Sequence, residues 1–230
     1  MRRGWGLAAV MAVALAGCWR EPSEAELIAS AQKNLTEGKT QAAVIQIRNA
    51  LHLNAKSTEA RFLMGQVLLA NGEMVAAQEE FRRAKSVGHP DVAVVPPLAR
   101  AMLLADQHKK VIEEFGATKF DDKVADADLS LTLAKAYARA GDAAKSEQEL
   151  ARSLQSRPDY ADALLFQIRL TTMKQGADAA LQALQTHREV LSKNAEAAYL
   201  EGSLKLNGKH DVDGALAAFQ RSLTLEPKAV

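Results

Sequence analysis

Cysteine is nearly absent from this chain of 230 residues, in which Cys18 is the only one. A single cysteine cannot form an internal disulfide, so the stability of the fold has to come from packing. None of the five histidines belongs to a metal-binding motif such as HExxH. We therefore expect neither a metal site nor a cofactor.

Charge of one sign is not in excess, since 29 lysines and arginines stand against 28 aspartates and glutamates. General nucleic-acid binders carry a strong basic excess, and this balance argues against that class. Common enzyme motifs are missing as well: there is no GxSxG, no phosphate-binding glycine loop and no dinucleotide fingerprint. Adjacent carboxylates such as Glu79-Glu80 point about 100° apart on a helix and indicate a solvated face. We expect no enzymatic activity.

Strand patterns are also missing, because no stretch alternates apolar and polar residues between turns. The stretch 58–91 instead reads TEARFLMGQVLLANGEMVAAQEEFRRAKSVGHPD, two helical patterns joined at Asn71-Gly72-Glu73. Phe81 lies on the apolar face of the second pattern, and Gly65 marks a point where the two helices approach closely. Such a pair cannot bury its apolar face alone and needs neighbours.

These neighbours recur at a fixed period. Gly65 has counterparts at Ala31 and Ala99, each 34 residues away, and Gly72 has one at Gly38. The bulky slot of Phe81 is filled in the other copies by Ile47, Phe115, Leu150, Leu184 and Phe219. A helix–turn–helix of 34 residues with this pattern of small and bulky slots resembles the tetratricopeptide repeat.

The resemblance covers about six copies over residues 24–227. It implies an all-α fold, a right-handed α-solenoid of helix pairs that is stabilised by contacts between neighbouring repeats. The third and fifth copies are degenerate. Asp106 stands in a turn-glycine slot of the third, while Ile168 and His187 stand in close-packing and small slots of the fifth.

Proline and capping residues indicate where helices begin. Ser23 followed by Glu26 is the pattern of a capping box, which opens the first helix. Because Pro96-Pro97 suit the first turn of a helix, we expect the first helix of the third repeat to be short, from about Pro96 to Ala105. Its partner should run from about residue 108 to 115.

The N-terminal segment has the anatomy of a secretory signal. Arg2 and Arg3 precede an apolar run, 7–16, that is too short to span a bilayer comfortably. The run ends in Leu-Ala-Gly-Cys18, which resembles the lipobox of bacterial lipoproteins. That resemblance implies cleavage before Cys18 and attachment of a lipid to its thiol.

We therefore divide the chain into a signal peptide (1–17), a lipidated tether (18–23) and the solenoid (24–230). Trp19 follows the cysteine where an aspartate would imply retention in the inner membrane. The resemblance thus implies the bacterial outer membrane, with the solenoid on the periplasmic face. Without Arg2 and Arg3, 27 basic residues remain against 28 acidic ones, so the processed chain is close to neutral.

Repeat solenoids bind partners on a concave surface, which the residue after each small slot should face. In chain order these residues are Gln32, Gln66, Arg100, Lys135, Arg169 and Ser203. One helical turn earlier runs an apolar row of Ile28, Phe62, Pro96, Leu131, Leu165 and Tyr199. The three cations, Arg100, Lys135 and Arg169, are named the basic ladder.

This combination suits an extended or helical peptide with acidic groups and apolar anchors. The partner-binding residues that we select are Phe62, Gln66, Arg100, Lys135, Arg169 and Tyr199. In the alternative interpretation, the cations pair with Asp128, Asp162 or Glu196 and simply keep the groove solvated.

Two segments of the first repeats carry a closer resemblance. The pattern AAxIQxxNAL begins at Ala42, EARFLxGxxLLAxGExxxAxxEFRRA begins at Glu59, and a Gly-His-Pro turn follows at Gly88. They are similar to the N-terminal repeats of tetratricopeptide lipoproteins of exosortase (PEP-CTERM) systems. That resemblance implies a membrane-anchored scaffold for exopolysaccharide export and surface-protein sorting. The alternatives are a pilotin or outer-membrane assembly lipoprotein, and a regulator of a cell-wall enzyme.

The last helical pattern carries the apolar residues Leu216, Phe219, Leu223 and Leu225. Part of this set should pack on the preceding helix, while the side that a further repeat would cover stays open. An open apolar surface of this kind predicts self-association, for example as a two-fold dimer. We expect one of Leu216 and Leu223 to face outward.

Replacing Cys18 with serine tests the lipid anchor. We expect Cys18→Ser to lose palmitate labelling and membrane retention, because serine has no thiol to accept the diacylglycerol. Labelling and fractionation measure both effects, and Ser23→Ala in the same tether serves as a control that should keep them. A Cys18→Ser protein that still carries label and sediments with membranes would contradict the lipoprotein prediction.

Overall fold

A computed structural model describes residues 20–226, and this part of the chain contains thirteen helices and no strand. The all-α expectation is thereby confirmed. The helices are α1 (Glu24–Thr36), α2 (Thr40–Leu53), α3 (Thr58–Ala70), α4 (Met74–Ser86), α5 (Asp91–Leu104), α6 (His108–Phe115), α7 (Lys123–Arg139), α8 (Ala143–Ser156), α9 (Ala161–Gln175), α10 (Ala177–Thr186), α11 (Arg188–Leu191), α12 (Ala195–Lys209) and α13 (Val212–Leu225).

Twelve of these helices form six consecutive pairs, which match the six repeats expected from the sequence. Each first helix packs against its own second helix, and α5, for example, also packs against α4 and α7 of the neighbouring repeats. This pattern of contacts is that of a solenoid. The fifth pair is interrupted after Thr186, and the short helix α11 follows His187, the residue in a degenerate slot.

Capping side chains and turn residues explain the helix boundaries. The Ser23 backbone N–H donates to the Glu26 carboxylate at 2.7 Å, and the Glu26 N–H donates to Ser23 Oγ at 3.3 Å, so the expected capping box is present. Gly72 turns between α3 and α4 with φ +80°. Asp106 takes the same slot in the third repeat with φ +58°, a conformation that aspartate tolerates better than most residues.

The first helix of the third repeat is longer than the sequence suggested. The expectation that it begins near Pro96 is wrong, because α5 starts at Asp91 and contains Pro96 and Pro97 in its interior. Pro90 lies at the N-cap, and the N–H groups of Ala93 and Val94 donate to its carbonyl oxygen. The prolines continue the helix since their fixed φ is helical, and they remove just the hydrogen bonds that their own nitrogens would donate.

Two of the helix pairs, the second and the sixth, are held at a close crossing between a glycine and a phenylalanine. A Cβ atom on Gly65 would lie 2.7 Å from Cδ1 of Phe81, whose side chain is fully buried. Gly202 repeats this arrangement, with Cε1 of Phe219 2.6 Å from the position of a Cβ. The small slot found in the sequence is therefore the point of contact between the two helices.

A buried polar cluster, which the sequence did not reveal, fixes the connector between α6 and α7. The Phe120 N–H donates to the Asp126 carboxylate at 3.2 Å, although Asp126 is a buried residue of α7. Arg152 of α8 lies 3.5 Å from the same carboxylate and donates from Nε to Ser130 Oγ at 2.5 Å. The connector is thus a defined loop, held to α7 and α8 by hydrogen bonds.

The expected signal peptide and Cys18 lie outside the described residues. Residues 20–22 precede α1, and the Arg20 guanidinium lies 3.7 Å from the Glu26 carboxylate. Within residues 20–226, no helix has the length and apolar composition needed to cross a bilayer.

The outer face of α13 exposes several apolar side chains. Leu216 is 55% exposed and Leu223 is 49% exposed. The expectation that one of them faces outward and the other inward is wrong, because residues seven apart lie about two turns along the same helix face. Ala215 and Ala218 are buried instead and form the side that packs on α12.

Self-association through this face of α13 stays a prediction. The lipid-free protein should run as a dimer at micromolar concentration, and Leu216→Lys together with Leu223→Lys should convert it to monomers. Both substitutions should leave the helical signal unchanged because both side chains are exposed. Light scattering after size exclusion is the measurement, and a wild-type protein that stays monomeric would contradict the prediction.

Substitution of Gly65 tests the helix crossing. We expect Gly65→Leu to lower the free energy of unfolding by roughly 1–3 kcal/mol or more, because Phe81 has no room to move away. Gln66→Leu introduces the same side chain at the next, exposed position and should change stability little. Denaturant unfolding of both variants decides the matter, and equal stability would show that the crossing is not tight.

Candidate functional site

Four first helices, α3, α5, α7 and α9, contribute residues to one groove of about 950 Å³. Its wall is apolar towards α3 and α5, where Phe62, Leu69 and Pro97 contribute. Towards α7 and α9 the lining is charged, and the residues there include Asp128, Lys135, Asp162 and Arg169. The lining is therefore mostly apolar at α3 and mixed from α5 to α9, where Arg100 and Phe166 also contribute.

Five of the selected partner-binding residues meet in this groove. They are Phe62, Gln66, Arg100, Lys135 and Arg169. Tyr199 does not line it: this residue is 59% exposed on α12, with its ring centroid 5.4 Å from that of Phe219. Cys18, the expected site of lipid attachment, lies outside the described residues.

The expected apolar row is present in part. Pro96 and Leu131 line the groove together with Phe62. Leu165 belongs instead to the core around α9 and α12, and Phe166, the next residue, lines the groove. Leu165 was assigned to the apolar row by spacing alone. Its side chain is buried and fills space between α9 and the neighbouring helices.

The three cations of the basic ladder have different surroundings. Arg169 donates to the Glu196 carboxylate at 2.6 Å. The Lys135 ammonium lies 5.9 Å from the centre of the Phe166 ring. Among residues 20–226, no carboxylate lies within ion-pair distance of Arg100 or Lys135. Direct pairing with an expected carboxylate thus occurs for Arg169, while Arg100 and Lys135 have no direct ion pair in this part of the chain.

Burial and neighbouring charges act on Lys135 together. Burial lowers its pKa, while the carboxylates of Asp162 and Glu196 act in the opposite direction. The positive charges of Arg100 and Arg169 lower it again, and the pKa stays below the ordinary value of lysine. Holding Lys135 in its charged form therefore costs the folded protein stability.

Arg157 and Tyr160, which the sequence did not assign to the groove, form a second polar set together with Asp128. The Arg157 guanidinium stacks 4.4 Å from the centre of the Tyr160 ring and lies 3.5 Å from the Asp128 carboxylate. Burial, followed by the nearby Asp128 charge, raises the pKa of Tyr160. A hydrogen bond of the Tyr160 hydroxyl to Asp128 contributes to the same shift, so Tyr160 keeps its proton. In the sequence, Tyr160 directly follows Arg157-Pro158-Asp159, a turn-forming stretch that gives no signal of a site.

Phe62 is fixed at the apolar end of the groove by two aromatic contacts. Its ring centroid lies 4.4 Å from that of His89, in a stacked arrangement, and 5.9 Å from that of Phe81. His89 is the middle residue of the Gly-His-Pro turn and is itself buried. The turn that closes the second repeat thus holds the Phe62 ring in place at the wall of the groove.

The lining of the groove combines several kinds of surface. It offers apolar side chains, two cations that have no direct ion pair in the described part of the chain, and the polar side chains around Tyr160. Within residues 20–226, no group of three or more histidine, cysteine or carboxylate side chains is arranged to hold a metal ion.

Known proteins resemble this chain in structure. No protein-family model and no curated protein matches it. The structure of PilF from Pseudomonas aeruginosa matches with 18% identity and a TM-score of 0.65, over 90% of this chain and 93% of that chain. PilW, a widely conserved type IV pilus biogenesis factor, matches with 15% identity and a TM-score of 0.69, over 90% and 94%.

A tetratricopeptide repeat protein from Parabacteroides merdae also matches, with 13% identity and a TM-score of 0.54, over 90% of this chain and 94% of that chain. At these identities the likeness concerns the fold. Together with the six helix pairs, it shows that this chain folds as a tetratricopeptide-repeat solenoid, an architecture that offers extended binding surfaces for other proteins.

Replacement of Lys135 tests the cost of the buried charge. We expect Lys135→Met to raise the thermal midpoint at pH 7, because the lysine pKa is lowered on folding and the charged form is therefore favoured in the unfolded chain. This gain should shrink as the pH rises through the folded pKa towards 10.5, the unfolded value, where the wild-type amine is neutral in both states. Melting curves between pH 7 and 10 measure it.

The exposed residue Lys109 provides the control, and Lys109→Met should not change the midpoint. A lower midpoint for Lys135→Met at pH 7 would show that attraction to Asp162 and Glu196 outweighs the cost of burial.

Proposed function

We propose that this protein is a non-enzymatic scaffold of the bacterial envelope, which holds a segment of a partner protein in the groove of its second to fifth repeats. The observation that carries this proposal is the basic ladder. Arg100 and Lys135 line the groove, and within residues 20–226 neither has a carboxylate at ion-pair distance, although Asp162 and Glu196 act on Lys135 from farther away. A partner that supplies carboxylates there completes an arrangement which the chain alone leaves incomplete.

The lining defines the chemistry of the partner segment. Burial around Lys135 lowers the local dielectric and strengthens its attraction for a carboxylate. Phe62 at one end and Phe166 at the other offer apolar surface for side chains on either side of the acidic residues. An acidic segment with flanking apolar anchors therefore fits better than a uniformly acidic one.

Anchoring through Cys18 would keep this groove close to a membrane. The support is the sequence of the N-terminal segment, in which a signal peptide ends at a lipobox-like Leu-Ala-Gly-Cys18. Since α1 begins at Glu24, the tether between lipid and solenoid is short. We place the solenoid on the periplasmic face of the outer membrane, where Trp19 is compatible with sorting.

Two envelope systems are candidates for the partner. The resemblance of the first repeats to lipoproteins of exosortase systems supports a role in exopolysaccharide export and surface-protein sorting. The fold shared with PilW, a type IV pilus biogenesis factor, supports the pilotin alternative. Identification of the proteins that cross-link to the groove in the native envelope distinguishes the two systems. Capture of polysaccharide-export proteins would support the exosortase system, and capture of pilus components would support the pilotin alternative.

Neutralising the basic ladder tests the groove. We expect Arg100→Gln, Lys135→Gln and Arg169→Gln together to weaken partner binding by about 10- to 100-fold, because hydrogen bonds to charged groups are lost. Wild-type binding should also weaken as salt rises, and the variant should respond less to salt. Capture of cross-linked envelope proteins, followed by binding titration of the recovered partner, measures both effects.

A matched control carries the same charge change away from the groove. Lys109, Lys110 and Lys119 are exposed and do not line it, so their joint replacement by glutamine should preserve binding. Equal losses in both triple variants would indicate an effect of net charge. Unchanged capture by the ladder variant would contradict the proposal. It would support the alternative interpretation, in which the cations only keep the groove solvated.

A further inference from the structure

The two adjacent prolines of α5 leave backbone acceptors without their helical donors. In an α-helix, the N–H of residue i donates to the carbonyl oxygen of residue i−4. Pro96 and Pro97 have no N–H, so the carbonyl oxygens of Val92 and Ala93 lose this partner. Among residues 20–226, no side chain donates to either oxygen.

The residues on either side of both oxygens line the groove. The carbonyl oxygen of a helical residue lies beside the nitrogen four positions later, and the four residues concerned all line the groove. Val92 is exposed, Ala93 and Pro97 are half-buried, and Pro96 is buried. A ligand in the groove can therefore reach this stretch, above all at Ala93 and Pro97.

Arg100 lies on the same face of α5, one turn beyond Pro96. Four helical residues span about 6 Å, which corresponds to about two residues of an extended peptide. One face of α5 thus offers hydrogen-bond acceptors followed by a cation. The complementary ligand presents N–H donors followed, about two residues away, by a carboxylate.

We propose that the double proline is a recognition site for the backbone of the bound peptide. Its N–H groups donate to the carbonyl oxygens of Val92 and Ala93 while an acidic side chain pairs with Arg100. This inference rests on the proposed function, since it describes how the same groove holds its ligand. It also accounts for the position of prolines in the interior of a helix, where they lower helix stability.

Substitution of Pro97 separates this role from a structural one. Pro97→Ala and Pro97→Val both restore an N–H that can donate to the Ala93 oxygen, and valine keeps apolar bulk against the ligand. Both variants should melt at a higher temperature than the wild type because the helix gains a hydrogen bond. Both should nevertheless bind the peptide about 3- to 10-fold more weakly, because one acceptor is withdrawn.

The probe is an acidic peptide, which is selected from a displayed library by binding to the purified full chain in detergent. Peptides that also bind the triple glutamine variant of the basic ladder are removed from the selection. Amide-to-ester replacement deletes one backbone N–H of the synthetic peptide at a time while keeping its shape. At one or two positions, the ester should weaken binding to the wild type and have no effect on binding to Pro97→Ala. Titration calorimetry measures four affinities for each position, namely those of the amide and the ester peptide for the wild type and for Pro97→Ala.

Three results would overturn the inference. If the ester peptides bind the wild type with the same affinity as the amide peptide, the protein accepts no hydrogen bond from the peptide backbone. Loss of binding in Pro97→Ala but not in Pro97→Val would assign the effect to apolar contact with the side chain at position 97. If no peptide depends on the basic ladder at all, the proposed function fails, and this inference fails with it.

Discussion

The close approach of two helices at a small residue is the constraint on which the rest of the structure depends. At Gly65 the partner helix presents Phe81 so near that a methyl group would not fit, and Gly202 repeats the arrangement with Phe219. A crossing this tight fixes how each first helix is rotated, so the same side of successive first helices faces the same direction. The groove is therefore a consequence of packing, which brings the residue after the small slot to its wall in the second to fifth repeats.

The charge of Lys135 opposes the stability of the solenoid. Arg100 and Arg169 disfavour the charged form of Lys135, as does its burial, and Glu196 neutralises Arg169 at 2.6 Å. Solubility alone would be served by fully exposed charges, such as the lysines at the start of α6. A lysine whose charged form is disfavoured by burial is common at functional sites, which agrees with the ligand proposed for this groove. The proline pair of α5 has the same character, because it weakens a helix where that helix meets the groove.

Sequence was sufficient wherever local chemistry decides the structure. The capping box at Ser23, the turn at Gly72 and the bounds of α6 depend on residues close together in the chain, and all were predictable. Contacts between distant residues were not. Leu165 turns into the core because of the helices around it, and Asp126 meets Arg152 across two helices that no local pattern connects. The predicted start of α5 near Pro96 was wrong because Pro90 lies at the N-cap, and Pro96-Pro97 had been assigned to the first turn.

Fold and groove chemistry answer different questions about function. PilF and PilW share the helix arrangement at 18% and 15% identity, and one solenoid can bind unrelated partners through the same surface. The particular ligand has to be read from the lining. Neighbouring helices pack roughly 10 Å apart, so the four first helices from Phe62 to Phe166 span roughly 30 Å. An extended segment of about nine residues covers that distance. Apolar anchors at its two ends and carboxylates between them would match the wall that this chain presents.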